Sequence, residues 1–278
     1  MSYKILCDSC TDLTPAQRKD PHFHIVPLTI RVGDRVFVDE PGMDCGELLW
    51  AMKSCPEAPK TSCPAPAQYL ELFKGEEEDI YVVTLSALLS CSHNVAAQAR
   101  AIYLDEGGGK NIHVFNSCSA TAGQVCIAMK IQELAESGLP FQKVVAETEK
   151  FIAEMKTVFV LESLDNLRKN GRLTKLQSVV TGALKIKLLL CATPEGEIGK
   201  VGQGISIKQT LSKMVDLVAQ DPNHEGKRLV MSQCNCLERA FYVRGLLEQR
   251  CRLGEIVITE TAGISTVYAN DGGVVLAY

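Results

Sequence analysis

Tyr3-Lys4-Ile5-Leu6-Cys7-Asp8, running straight into Ser9-Cys10-Thr11-Asp12-Leu13-Thr14-Pro15, decides how the rest of the chain is read. The opening residues form an apolar run of strand length. Thr14-Pro15 pairs an N-cap hydroxyl with a proline at the first helical position, where its fixed φ and missing N–H cost nothing. A helix is predicted to begin there. A strand that passes directly into a helix, repeated along a chain, is the pattern of βαβ units built on a parallel sheet.

The repetition continues. Further strands are predicted at residues 25–31, 80–84 and 111–115, and helices over 65–73 and 95–104, the latter two opened by Thr61-Ser62-Cys63-Pro64 and Ser90-Cys91-Ser92. Residues 120–137 form the longest predicted helix, closed by Gly138, and 142–155 another; both fit an outer layer. After a strand over 157–161, a helix over 162–169 should stop at Asn170-Gly171, which tolerate the left-handed cap conformation. Pro194-Glu195-Gly196-Glu197 reads as a hairpin turn between strands 187–193 and 198–201. Helices over 207–219 and 237–251 and strands over 228–232 and 256–260 complete the pattern. The predicted architecture is an N-terminal parallel-sheet α/β domain (1–157) and a C-terminal α+β domain (158–278) with an antiparallel or mixed sheet. A ligand cleft between them is expected.

Composition removes several function classes. A chain of 278 residues with 46% hydrophobic residues can bury a substantial core. The net charge of −4 supplies no positive field for a phosphate backbone, so no nucleic acid is expected. No apolar run approaches the roughly 20 residues of a membrane span, and the start lacks the apolar core of a signal peptide. A cytoplasmic protein is expected. The twelve cysteines are scattered through apolar segments and read as free thiols in a reducing compartment.

Helix N-termini offer unpaired N–H groups and a positive dipole end, so the hydroxyl-rich starts at Thr61 and Ser90 are candidate holders of a carboxylate, against the simpler reading that each caps its own helix. Cys7-Asp8-Ser9-Cys10 has redox or zinc spacing, yet no matching histidines complete a zinc site. Ser90 and His93 could serve a serine-dependent hydrolase or transferase acting on a lipid or acyl substrate, given an orienting acid. Gly107-Gly108-Gly109-Lys110 lacks the spacing of a phosphate-binding loop. No cofactor or metal is indicated.

Asp8-Ser9-Cys10-Thr11-Asp12-Leu13 resembles the opening motif of the DegV family. Val26-Pro27-Leu28, Gly33-Asp34 and Asp39 follow at the family's distances. Thr61-Ser62-Cys63-Pro64-Ala65-Pro66 is similar to its second signature, with Cys63 in place of the usual glutamine. Leu85-Ser86-Ala87-Leu88-Leu89-Ser90-Cys91-Ser92 is similar to its third, with Cys91 in place of glycine and His93 in place of tyrosine. Residues 164–173, ending in Gly171-Arg172-Leu173, resemble a fourth. The resemblance spans nearly the whole chain. It implies one long-chain fatty acid enclosed between two domains, its head group on Thr61 and Ser90 with Ser62 and Ser92 adjacent. It further implies a non-catalytic carrier whose partner is a separate fatty-acid kinase, with Arg172 a contact for that partner. Near the C-terminus Asn270 stands where the family's histidine is expected, beside Asp271, which would repel a carboxylate if it faced inward.

Overall fold

The computed structural model describes residues 2–176 and 186–278. Its first half runs β1 (Tyr3–Asp8), β2 (Phe23–Val26), β3 (Thr29–Val32), β4 (Arg35–Val38), α1 (Cys45–Ser54), β5 (Lys60–Ser62), α2 (Pro66–Leu72), β6 (Asp79–Thr84), α3 (Ser92–Asp105), β7 (Asn111–Asn116), α4 (Ala122–Glu136) and α5 (Phe141–Glu154). Then come β8 (Thr157–Val160), α6 (Asp165–Lys169), β9 (Lys187–Ala192), β10 (Ile198–Gly204), α7 (Ile207–Gln220), β11 (Arg228–Gln233), α8 (Leu237–Arg250), β12 (Glu255–Glu260), α9 (Gly263–Ala269) and β13 (Val274–Ala277).

The strands form three sheets. β2-β1-β6-β7 is wholly parallel, as the βαβ pattern predicts. β10-β9-β8-β13-β11-β12 is mixed, parallel only between β11 and β12. The third, β4-β3-β5, is small and antiparallel and was not legible in the sequence. Residues 25–31 are not one strand: Pro27 has no N–H for a ladder, so the chain leaves the parallel sheet at Val26 and joins the small sheet at Thr29. Leu28 bridges the gap by donating its N–H to Ser9 Oγ at 3.0 Å.

Thr14-Pro15 opens only a single 3₁₀ turn, Gln17–Lys19, although Thr14 Oγ1 accepts from Gln17 N–H at 3.2 Å as a cap should. Pro21 forces Asp20 out of the helical region and ends the turn. Thr61 and Ser62 likewise sit on β5 and not at a helix start; α2 begins at Pro66, capped by Ala65.

α4 corrects the outer-layer expectation. Ala122 through Ala128 are all buried, because the helix lies between the parallel sheet and the mixed one and presents apolar side chains to both. Val125 and Cys126 pack toward Phe159, Val230 and Val275, while Ile127 and Ile131 pack toward Ile5, Tyr81 and Phe115. A helical stretch buried all round, as residues 122–128 are, lies in the centre of a fold. α7 and α8 cover the far face of the mixed sheet, and α2 and α3 the far face of the parallel one.

Candidate functional site

The loops that leave β1, β6 and β7 are organised by one buried carboxylate. Asp8 Oδ1 accepts from Cys10 N–H at 3.2 Å and Gln124 Nε2 at 2.8 Å; Oδ2 accepts from Leu85 N–H at 2.8 Å and Ser92 Oγ at 2.7 Å. Burial raises its carboxyl above the usual range, and the hydrogen bonds from Gln124, Leu85 and Ser92 pull the other way. Asp8 thereby gathers the starts of α3 and α4 at the carboxyl end of the parallel sheet, where open α/β sheets collect ligands.

A second pair of acids fixes α9. Asp39, at the end of β4, accepts from the N–H groups of Gly263 at 2.7 Å and Ile264 at 2.8 Å, and Asp12 accepts from Ala262 N–H at 2.8 Å. A side chain at Gly263 would collide with Asp39, since a Cβ there falls 2.6 Å from Oδ1. Burial pushes the Asp12 carboxyl up to about 7, with the nearby charge of Asp39 adding to the rise.

Between the parallel-sheet loops and the mixed sheet lies an apolar cavity walled by Leu85, Leu89, Phe159, Leu161, Ile198 and Val275. It offers about 100 Å³ to the centres of water molecules, several times the roughly 10–15 Å³ that one water needs on that measure. Ile264, Ser265, Tyr268 and Ala269 of α9 close one side. The β9–β10 turn closes another: Ser86 Oγ donates to Gly196 O at 2.6 Å. Gly196 has φ +90°, and a Cβ there would fall 2.3 Å from Ser86 Oγ, so only glycine lets the turn press this close.

Leu89, Arg172 and Tyr268 line this cavity; Thr61 and Ser90 do not line it themselves but are half-buried next to it, Thr61 against Tyr268 and Ser90 directly after Leu89. Thr61 Oγ1 lies 2.8 Å from Tyr268 Oη. Arg172 donates from Nε to Leu89 O at 3.1 Å and from Nη1 to Asn170 O, and its guanidinium carbon sits 6.0 Å from the Tyr268 ring centroid. Ser90 precedes the N-cap of α3, which is Cys91; its Oγ accepts from Ser92 N–H at 3.2 Å, and its own O–H remains a donor.

The other expected residues are placed elsewhere. Ser62 is exposed on β5. Ser92 is buried under the rim, donating to Asp8 and 3.3 Å from Tyr69 Oη. Asn270 caps α9 with φ +56°, and its Oδ1 accepts from Asn166 Nδ2 at 3.0 Å; it lines a separate surface groove with Trp50 and Asp271. Asp271 faces outward and accepts from Asn235 Nδ2 at 3.0 Å. His93 Nδ1 meets Thr84 Oγ1 at 3.2 Å, so Ser90 and His93 have different partners. Cys7 and Cys10 are buried, and burial together with the Asp8 charge drives both thiols up. Arg172 is half-buried at the cavity and not a detached surface side chain.

Two cysteines depart from the free-thiol expectation. Cys63 and Cys91 form a disulfide with Cα atoms 6.0 Å apart, because the starts of α2 and α3 lie side by side; a separation of 28 residues gave no sign of it. Sequence reasoning also missed Tyr268. Its signal was a single aromatic four residues beyond Ile264 in the short segment before Asn270.

A buried helix between a parallel and a mixed sheet, with an apolar chamber at the sheet ends lined by Arg172 and Tyr268, defines a two-sheet α/β protein with an enclosed ligand-binding cavity. A family model described as uncharacterised proteins of the DegV family matches residues 2–278, and the chain belongs to that family. A DegV domain-containing protein of Streptococcus pneumoniae is 34% identical over 284 residues, covering 100% of this chain and 99% of the relative. Among solved structures, a DegV family protein from Ruminococcus gnavus refined with vaccenic acid matches with TM-score 0.96 and 44% identity over 100% of this chain and 99% of its own. The Streptococcus pneumoniae fatty acid kinase (Fak) B3 protein, loaded with linoleic acid, matches with TM-score 0.92 and 33% identity at the same coverage. Among the described residues no helix is long and apolar enough to cross a membrane, and no cluster of three His, Cys, Asp or Glu could hold a metal.

Proposed function

We propose that this chain is a non-catalytic cytoplasmic carrier that encloses one long-chain fatty acid and presents its carboxylate to a separate fatty-acid kinase. The observation that carries the reading is the apolar chamber between the two sheets, lined by Arg172 and Tyr268, with Thr61 bonded to Tyr268 and Ser90 next in sequence to the lining Leu89. A tail in the chamber gains about 0.8 kcal/mol for each methylene removed from water. The carboxylate needs donors, because its burial without them costs several kcal/mol. Of the two O–H groups of Thr61 and Tyr268, one bonds the other oxygen and the second is left to donate outward. Ser90 adds another donor and Arg172 a positive charge, so charge-assisted bonds grip the head while the tail dominates affinity. The fatty acids carried by the R. gnavus and S. pneumoniae relatives support this ligand class, and the kinase in the name of the second supports the partner. The separate engagements of Ser90 and His93 favour a carrier over a serine hydrolase.

The test is native mass spectrometry of protein purified from a bacterial host. One fatty acid per chain is expected, strongly reduced in Thr61→Ala/Ser90→Ala. Wild type that emerges empty and binds no added oleate or palmitate ends the proposal.

A further inference from the structure

We infer that Cys63 and Cys91 are a reversible thiol–disulfide site controlling how fast the chamber exchanges its ligand; the inference rests on the carrier reading above. Each sulfur sits on a segment that adjoins the cavity wall, Cys63 near Thr61, whose hydroxyl meets the lining Tyr268, and Cys91 near the lining Leu89. Cys63 follows Thr61 by two residues, and Cys91 follows Ser90 directly. Their disulfide ties the β5–α2 connection to the start of α3, fixing together the two segments that adjoin the cavity at Tyr268 and Leu89.

Two features make this bond regulatory in character. First, β5 is three residues long and pairs only with β3, so without the covalent tie its C-terminal end hangs on very little local structure. Second, Cys91 is the one exposed cysteine of the twelve, whereas the ten free thiols are all buried or half-buried. Burial raises the thiols of Cys7, Cys10, Cys126 and Cys234 and makes them poor nucleophiles. Cys91 is therefore the cysteine sulfur most open to a soluble thiol or disulfide. A single accessible disulfide among ten free thiols is unlike the stapled framework of a secreted domain and like the transient bonds of redox-responsive proteins.

The chemistry is ordinary exchange. A thiolate of a dithiol reductant attacks one sulfur of the pair and forms a mixed disulfide; the reductant's second thiol displaces it. The protein S–S bond breaks, the reductant's S–S bond forms, and Cys63 and Cys91 gain two electrons and two protons between them. Oxidised glutathione re-forms the bond: one protein thiolate attacks it and releases a glutathione, and the second protein thiolate attacks the mixed disulfide and releases another, so the two electrons and two protons leave with two glutathione thiols. The oxidised form holds the β5–α2 connection against the start of α3; the reduced form lets the two segments separate and the ligand exchange faster.

The test loads wild type with oleate in two states, oxidised with glutathione disulfide and reduced with dithiothreitol, each verified by alkylation and peptide mass mapping. Release is followed by transfer to excess albumin. The reduced form is expected to release oleate roughly threefold faster or more, the difference lying in the off-rate. Cys63→Ser/Cys91→Ser should release at the reduced rate in both buffers. Equal rates in the two wild-type states, or oxidised protein with no Cys63–Cys91 cross-linked peptide, overturn the inference and leave the carrier standing. Failure to bind oleate in either state overturns the carrier reading and the inference with it.

Discussion

Thr61 Oγ1 stands 2.8 Å from the phenol oxygen of Tyr268, joining β5 to α9 across the cavity mouth and 207 residues of sequence. Thr61→Val and Tyr268→Phe each remove one hydroxyl and keep the shape. A hydrogen bond to a charged group is worth about 1.5–3 kcal/mol, so each variant should bind oleate roughly tenfold more weakly or worse, with little change in melting temperature. Isothermal titration of delipidated protein measures this. Wild-type affinity in both variants would assign the pair to the fold alone.

The chamber walls set the length of tail that can be buried. At about 0.8 kcal/mol per methylene, affinity for saturated acids should rise about fourfold per carbon until the tail fills the space, then level off. Ile198→Phe adds volume to the wall on β10 and should move that plateau to a shorter acid. Displacement assays over a chain-length series decide it; an unmoved plateau puts the tail elsewhere.

Asp8 satisfies four donors at once, two from backbone and two from side chains. Asp8→Ala leaves them buried without an acceptor, and a loss of about 3–5 kcal/mol is expected in urea unfolding. Asp8→Asn should also destabilise, since its NH₂ group would meet N–H or amide donors. Near-native stability in Asp8→Asn would mean that those donors find other partners.

Asp12 gives a signed pH dependence. Its folded pKa of about 7 lies above the ordinary aspartate value near 3.9, so between these values the native state keeps a proton that the unfolded chain releases. The contribution is fully present below about pH 4 and lost as pH rises toward 7. Subtracting the stability of Asp12→Asn from that of wild type at each pH should therefore give a difference that falls over this interval. A difference that is flat, or that grows with pH, contradicts a protonated Asp12.

Much of the fold was legible because burial on both faces writes itself as apolar runs. β1, β6, β7 and the β9–β10 hairpin all fall where those runs predict. The small sheet was not legible: β5 is Lys60-Thr61-Ser62, a polar strand placed by its ladder to β3 and carrying no hydrophobic period of its own. The position of α4 was missed because its all-round burial is confined to residues 122–128, while Lys130, Gln132, Glu133 and Glu136 give its second half the polar face of an outer helix. At the site, Arg172 lines the cavity, while Thr61 reaches it only through Tyr268 and Ser90 only through its neighbour Leu89. Ser92 and Asn270 are local in sequence to the right segments but turn to Asp8 and Asn166, directions set by tertiary partners more than 80 residues away.

The chamber cannot be inherited with either half of the chain. α9, which supplies Tyr268 and Ile264 to its wall, is encoded almost at the C-terminus, yet its first turn is held by Asp12 and Asp39 from the beginning. A chimera that recombines the two halves of distant relatives would pass on both sheets and still lose the pocket unless these two acids travelled with the helix they anchor. Specificity in this protein is thus exchanged as a matched set of distant residues, and not as a module.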